Sequence, residues 1–134
     1  MYVTVSNADS KAYYSDNKAS HFRVKLGKTL HLEGKWSVAL ADLHISDNTA
    51  NFGMLGITSD ICNGIWSNGL QSHLLRRFNC RKNVHESFPC LFYLSVEKVF
   101  IDTMEFLITT SDGNEASLAG EVKVEFTLHF RQDG

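Results

Sequence analysis

Six histidines are the residues of this sequence best suited to metal binding or proton transfer: His21, His31, His44, His73, His85 and His129. A zinc site needs three or four ligands that converge on one point. None of the six has an H-x-H or H-E-x-x-H spacing, and His21, His44 and His129 lie on the polar side of alternating segments. We therefore expect histidines at the surface or at an interface, with no metal site and no cofactor.

The three cysteines, Cys62, Cys80 and Cys90, could supply a nucleophile or a cross-link. Their number is odd and no two have a C-x-x-C spacing, so a disulfide framework or an all-cysteine zinc site is not expected. No nucleophile elbow or cysteine-protease signature surrounds them. We expect reduced thiols in a reducing compartment.

Two further patterns resemble catalytic motifs. Asp102 and Glu105 could form the carboxylate pair of a glycoside hydrolase, but they lie in a segment where a polar strand face is expected anyway. The stretch "GKTL" at Gly27–Leu30 resembles the end of a P-loop, although Phe22 stands where the first glycine should be. We interpret it as a turn between two strands, and we expect no enzyme.

The stretch "RRFNCRK" is the one cluster of charge. Arg76, Arg77, Arg81 and Lys82 surround Phe78, and cations beside an aromatic ring can bind phosphate backbones. The arginines can also form bidentate pairs with carboxylates across an interface. The alternative interpretation is a solvated loop.

Aromatic residues provide the other candidates for contact with a partner. Tyr13, Tyr14 and Trp66 are predicted contact residues because aromatic side chains are enriched at protein interfaces. Phe92 is instead predicted to lie in the core.

The bulk properties limit the class of protein. A chain of 134 residues fits one domain, here residues 1–134, and it can bury a sizeable core. The net charge of -2 gives no argument for nucleic acid or an acidic membrane. The first residues lack the pattern of a signal peptide, and no apolar run approaches the roughly 20 residues that cross a bilayer. We expect neither secretion through a signal peptide nor a membrane partner.

Hydrophobic periodicity predicts strands almost everywhere. The segment from Glu121 to Arg131 alternates without a break, and "KWSVALADLHIS" changes phase between Leu40 and Leu43, as a β-bulge does. Only "NGLQSHLLRRFN" has a spacing that could give a helical turn. About eight extended segments separated by turn signals indicate an all-β fold, a single jelly-roll sandwich of about eight antiparallel strands. An immunoglobulin-like sandwich also fits the length, but no cysteine precedes Trp36.

Three blocks of the chain, in the same order, resemble one known family. They are the opening "MYVTVSNADSKAYYSDNKASHFRVKLGKTLHLEGKWSVALADLHIS", the middle "SDICNGIWSNGLQSHLLRRF" and the closing "FIDTMEFLITTSDGNEASLAGEVKVEFTLHFR". Together they are similar to the penton, or minor capsid, protein of polinton (Maverick) elements and adintovirus-like viruses. The closing block resembles the last hairpin of long strands in that family.

The resemblance implies a single jelly roll that forms pentamers at the fivefold vertices of an icosahedral virion. Its partners would be other copies of itself and the major capsid protein, and the basic cluster would also suit contact with a packaged genome. The family usually has a long segment where this chain has only the dozen residues Asp47 to Thr58. We therefore expect a shortened form, for which a trimer would also suit a compact sandwich.

A second function remains open at this stage. A glycan-binding or receptor-binding β-sandwich would hold sugars through an exposed aromatic such as Trp66 and would require no symmetric ring. Within the family interpretation, the final strand pairs beside the first strand and closes the sandwich.

Overall fold

The structure, a computed structural model, describes residues 1–46, 53–62, 65–67, 70–81, 83–96, 98–118 and 122–133. Within these ranges the chain forms eleven β-strands and no α-helix, which confirms the predicted all-β class. The helical turn considered for "NGLQSHLLRRFN" is wrong, since residues 70–72 and 74–80 are strands. No helix in the described ranges is long and apolar enough to span a bilayer.

The strands follow one another in chain order as β1 (Tyr2–Ser6), β2 (His21–His31), β3 (Trp36–Ser46), β4 (Gly53–Ser59), β5 (Ile65–Ser67), β6 (Leu70–Ser72), β7 (Leu74–Cys80), β8 (Val84–Ser87), β9 (Leu94–Ser95), β10 (Phe100–Thr110) and β11 (Lys123–Gln132).

Nine of the strands form two antiparallel sheets. Sheet I has the order β1-β11-β3-β8, with the short β9 also paired to β3, and sheet II has the order β2-β10-β4-β7. Strands β5 and β6 form a separate two-stranded sheet in the described part of the chain. The first and last strands lie side by side, as expected, with Val3 opposite Leu128 and Val5 opposite Phe126.

The apolar faces of the two sheets meet over one core, the arrangement of a β-sandwich. Phe22 and Phe106 of sheet II contact Phe126 of sheet I, with ring centroids 5.8 and 5.4 Å away. The alternation predicted for the last segment is confirmed, since the residues of its apolar side are all buried: Val122, Val124, Phe126, Leu128 and Phe130.

A β-bulge interrupts β3 where the sequence changes phase. Along the pairing with β11, Thr127 lies opposite Asp42 and Leu128 lies opposite Leu40, so Ala41 is an extra residue. The extra residue returns the apolar side chains to the core, since Leu40 and Leu43 are both fully buried. The predicted bulge is confirmed.

Two expectations about the strands are wrong. Gly27–Leu30 is not a turn but part of β2, at an irregularity where Leu30 faces Ile101 and Lys25 faces Thr103. Pairing with β10 tolerates the extra residues as a bulge, which a local turn pattern does not reveal. Strands β10 and β11 do not form a hairpin either, because each joins a different sheet.

The contact of Phe126 with the two rings of sheet II gives a test of the core. We expect Phe126→Ala to lower the free energy of unfolding by about 3–5 kcal/mol, because it removes a buried ring and leaves a cavity between the sheets. Urea denaturation followed by tryptophan fluorescence measures the loss, and Lys123→Ala, on the exposed side of the same strand, is the control. A loss below about 1 kcal/mol would contradict the packing.

Candidate interaction surfaces

The predicted contact residues Tyr13 and Tyr14 lie in the connection between β1 and β2. The Tyr13 side chain is 68% exposed, and its ring centroid lies 5.6 Å from Lys25 Nζ. Tyr14 is half-buried, and its ring centroid lies 5.9 Å from Arg23 Cζ. Both rings therefore lie beside cations of the neighbouring strand, a cation–π arrangement that is weak at exposed sites.

The same connection covers the outer edge of β2. The Asn17 side chain donates to the Arg23 carbonyl (2.7 Å) and accepts from the Arg23 N–H (2.9 Å), as a neighbouring strand would. Ser10 Oγ accepts from the Lys25 N–H at 2.8 Å. An edge strand with unpaired backbone groups invites pairing with another chain, and these side chains prevent it over this part of β2.

The basic cluster lies on β7, whose alternation sends its side chains to different places. Phe78 points into the core and is 3% exposed, so it does not form an aromatic patch with the arginines. Arg77 lies on the outer face of sheet II, at a groove of about 290 Å³ lined by Met54, Leu74 and Leu107 among others. Arg81 lies beside β8, and Lys82 is outside the described residues. The described part of the cluster is therefore divided, and its residues 76–80 are in a strand, not in a loop.

Arg76 joins the two sheets at their β7–β8 side. Its Cζ lies 4.0 Å from the Phe88 ring centroid and 4.2 Å from that of Phe92, and its Nη1 donates to the Cys90 carbonyl at 2.6 Å. The core position predicted for Phe92 is wrong: its side chain is 56% exposed because it covers the guanidinium group from the solvent side. Arg76 thus has a structural role in addition to any contact with a partner.

The predicted contact residues whose side chains the structure describes do not form one surface. Tyr13 and Tyr14 lie beside β2, whereas the arginines lie on or next to β7, at the opposite edge of sheet II. The Trp66 backbone pairs with Gln71 in the β5–β6 ribbon, and its side chain lies outside the described part of the chain. Their contact with a partner stays a prediction.

A cluster that the sequence did not predict lies on the outer face of sheet I. His129 Nδ1 lies 2.6 Å from the Tyr93 hydroxyl, and its ring centroid lies 4.5 Å from that of Tyr2. Arg131 Cζ lies 3.7 Å from the Tyr93 ring centroid. Partial burial lowers the pKa of His129, and the positive charges of the amino terminus and Arg131 lower it further. Alternation placed His129 and Arg131 on one face, but no local signal located Tyr93.

A charged network occupies the outer face of sheet II. Glu105 accepts from His21 Nε2 at 2.9 Å and from Arg23 Nε at 3.0 Å. Burial raises the pKa of Glu105, but these hydrogen bonds and the nearby positive charges outweigh it and lower the pKa overall. The acid of a glycosidase pair needs a raised pKa, so the lowered pKa argues against Glu105 as the proton donor of such a pair.

Metal-binding groups do not converge in the residues that the structure describes. No set of three or more histidine, cysteine or acidic side chains there could hold an ion. Cys62 and Cys80 are buried, with their thiols near backbone carbonyls, and Cys90 is exposed.

The position of Arg76 between two rings gives a prediction about stability. We expect Arg76→Ala to lower the free energy of unfolding by about 2 kcal/mol, because it removes two cation–π contacts and a charged hydrogen bond. The neighbouring Arg77→Ala should stay within about 0.5 kcal/mol of the parent. Equal losses in the two variants, measured by urea denaturation, would show that Arg76 does not brace the sheets.

The lowered pKa of His129 predicts a dependence of stability on pH. In the unfolded chain the His129 imidazole is protonated near pH 6.5, whereas in the folded protein its protonation requires a lower pH. The free energy of unfolding therefore falls as the pH drops through 6.5. His129→Gln removes this contribution, and the melting temperature of the variant should fall less between about pH 7.5 and pH 5.5. Parallel profiles for parent and variant in a thermal-melt series would contradict the assignment.

A scan against protein-family models matches none of them, and a search of curated proteins finds no match either. The physical evidence for a function is therefore the strand order together with the surfaces described above.

Proposed function

We propose that this protein is a structural virion component, a penton-like minor capsid protein. In this proposal it is a single jelly roll that assembles into a ring at icosahedral vertices and docks with the major capsid protein. Jelly rolls are eight-stranded double sheets that recur in viral capsid and lectin domains. The proposal combines the resemblance of the three sequence blocks with the arrangement of the strands.

The strand pairing is the observation that carries the proposal. Leaving aside the short β5, β6 and β9, the first strand pairs with the last, β2 with β10, β3 with β8 and β4 with β7. Two further pairings, β11 with β3 and β10 with β4, complete the two sheets. This nested order arises when a long hairpin, whose two arms are paired, is rolled into two facing sheets. The observed pairing therefore supports a jelly roll.

Exposed apolar side chains support contacts between copies. Phe100 is 64% exposed and stacks on His31 at 4.5 Å, with Val99 exposed beside it, and Met54 is exposed at the other end of sheet II. A standard interface buries about 800 Å² on each partner, roughly a tenth of the 7606 Å² surface of this chain. A ring, in which each copy has two neighbours, would cover about a fifth of it.

Docking with a shell protein would use the remaining polar surface. Arg77 and Arg81 are exposed, and guanidinium groups can pair with carboxylates in a fixed bidentate geometry. Such pairs fix the register between two proteins and raise the rate of association more than they raise the affinity. An acidic surface on the major capsid protein would fit this role.

The mass of the particle in solution tests the proposal. Native mass spectrometry of the purified protein should show an assembly of five chains, and electron microscopy should show a ring. A trimer would retain the structural role with a different symmetry. A protein that stays monomeric at all accessible concentrations would contradict self-assembly.

A glycan array on the same preparation tests the second function. A monomer that is retained by a glycan, and that loses retention on Trp66→Ala, would favour a glycan-binding β-sandwich over a capsid protein. Tyr13→Ala is the matched control, because it removes an exposed aromatic side chain from a different part of the chain.

A further inference from the structure

The outer edge of β1 has two residues whose backbone groups point away from the sheet. Met1 and Phe130 exchange two hydrogen bonds, from Met1 N to Phe130 O (3.1 Å) and from Phe130 N to Met1 O (2.8 Å). Pairing alternates along an antiparallel ladder, so Val3 and Val5 also bond to β11. The N–H and C=O of Tyr2 and Thr4 then point to the open side, where no described residue bonds to them.

The open stretch of β1 ends at Ser6, which is capped. Ser6 N–H donates to Asp9 Oδ2 at 2.9 Å, and Asp9 N–H donates to the Ser6 carbonyl at 3.2 Å. The caps at Ser6 and on β2 limit where another strand can be added. In the described part of sheet I, Tyr2 and Thr4 are the open positions on this edge.

The opposite edge of sheet I, formed by β8, is open over the same length. Phe88 N–H donates to the Ala41 carbonyl at 3.0 Å, in register with the β3–β8 ladder. Glu86 therefore also bonds to β3, and alternation directs the N–H and C=O of His85 and Ser87 outward. No backbone hydrogen bond to these outward groups occurs among the described residues.

The strand directions allow the two open edges of neighbouring copies to join. The four strands of sheet I alternate in direction from β1 to β8, so these two edge strands are antiparallel. Rotation about an axis that lies beside the sheet and runs along its strands leaves the strand directions unchanged. A copy related by such a rotation can therefore place its β1 along β8 of its neighbour as an antiparallel pair. Such a head-to-tail contact repeats from copy to copy and gives a ring when the rotation closes.

We propose that copies of this chain assemble by pairing β1 of one copy with β8 of the next. Tyr2 would lie opposite Ser87 of the neighbour and Thr4 opposite His85, with four backbone hydrogen bonds between them. This inference rests on the proposed function, since it names the surface through which the ring forms.

Side chains at the two edges are compatible with this register. Tyr2 and Thr4 lie on the outer face, as do His85 and Ser87. The Tyr2 ring would therefore meet the Ser87 hydroxyl and Thr4 would meet the His85 imidazole, with no opposed pair of acidic or of lysine and arginine side chains, which would be unfavourable. The Tyr2 side chain is 67% exposed. A depression of about 400 Å³ beside β8, lined by Val84, His85 and Arg81 among others, leaves room for an added strand.

Proline substitutions test the pairing because they remove an outward N–H that the monomer does not use. We expect Thr4→Pro and Ser87→Pro each to raise the concentration for half-assembly at least tenfold, measured by light scattering after size-exclusion chromatography. Thr4→Val and Ser87→Ala keep the N–H groups and should assemble within about twofold of the parent. Circular dichroism and thermal melts establish that each variant is folded.

Cross-linking tests the same register without proline. In a Cys90→Ser background, a Thr4→Cys protein mixed with a His85→Cys protein should form a disulfide-linked dimer under mild oxidation, because directly opposed residues lie within disulfide range. Lys25→Cys mixed with His85→Cys is the control and should not cross-link.

The outcomes separate this inference from the proposed function. If the two proline variants assemble like the parent, or if cross-linking is no greater than in the control, the β1–β8 contact is wrong. The proposed self-assembly would then still stand, through a different surface. A parent protein that never assembles would overturn both proposals.

Discussion

The structure depends on backbone hydrogen bonds between segments at opposite ends of the sequence. Strand β11 bonds to β1 on one side and to β3 on the other, and it buries one complete side of its alternating pattern. Phe126, near the middle of β11, contacts the rings of Phe22 and Phe106 in sheet II. The strand therefore sets the register of sheet I and the distance to sheet II together, because a shift of one residue would turn its apolar side to solvent.

Sequence alone predicted the properties that repeat every two residues. The all-β class, the buried side of β11 and the bulge in β3 follow from the spacing of apolar residues, which is a local property. Pairing between sheets is not local, so the resemblance suggested a hairpin of β10 and β11 that the structure divides between two sheets. Gly27–Leu30 was misinterpreted for a similar reason, since a bulge depends on the partner strand.

The candidate surface was harder to predict than the fold. Charge and aromatic content identified Arg76, Arg77 and Phe78 as neighbours in sequence, but a strand directs such neighbours to different environments. Arg76 contacts Phe88 and Phe92 because the chain returns beside β7 after β8, which no spacing encodes. Whether a polar residue braces the sandwich or faces a partner is therefore decided by tertiary packing.

The nested pairing of the strands has a consequence for the order of events during synthesis. Strand β1 is made before its partner β11, which follows at least 117 residues later in the chain. Domains generally fold as units once enough of the chain is available, and distant pairings are slow to form. Sheet I therefore cannot be completed until β11 has been made. The outer edge of β1 becomes ordered only after that point, because β11 is the strand to which β1 pairs.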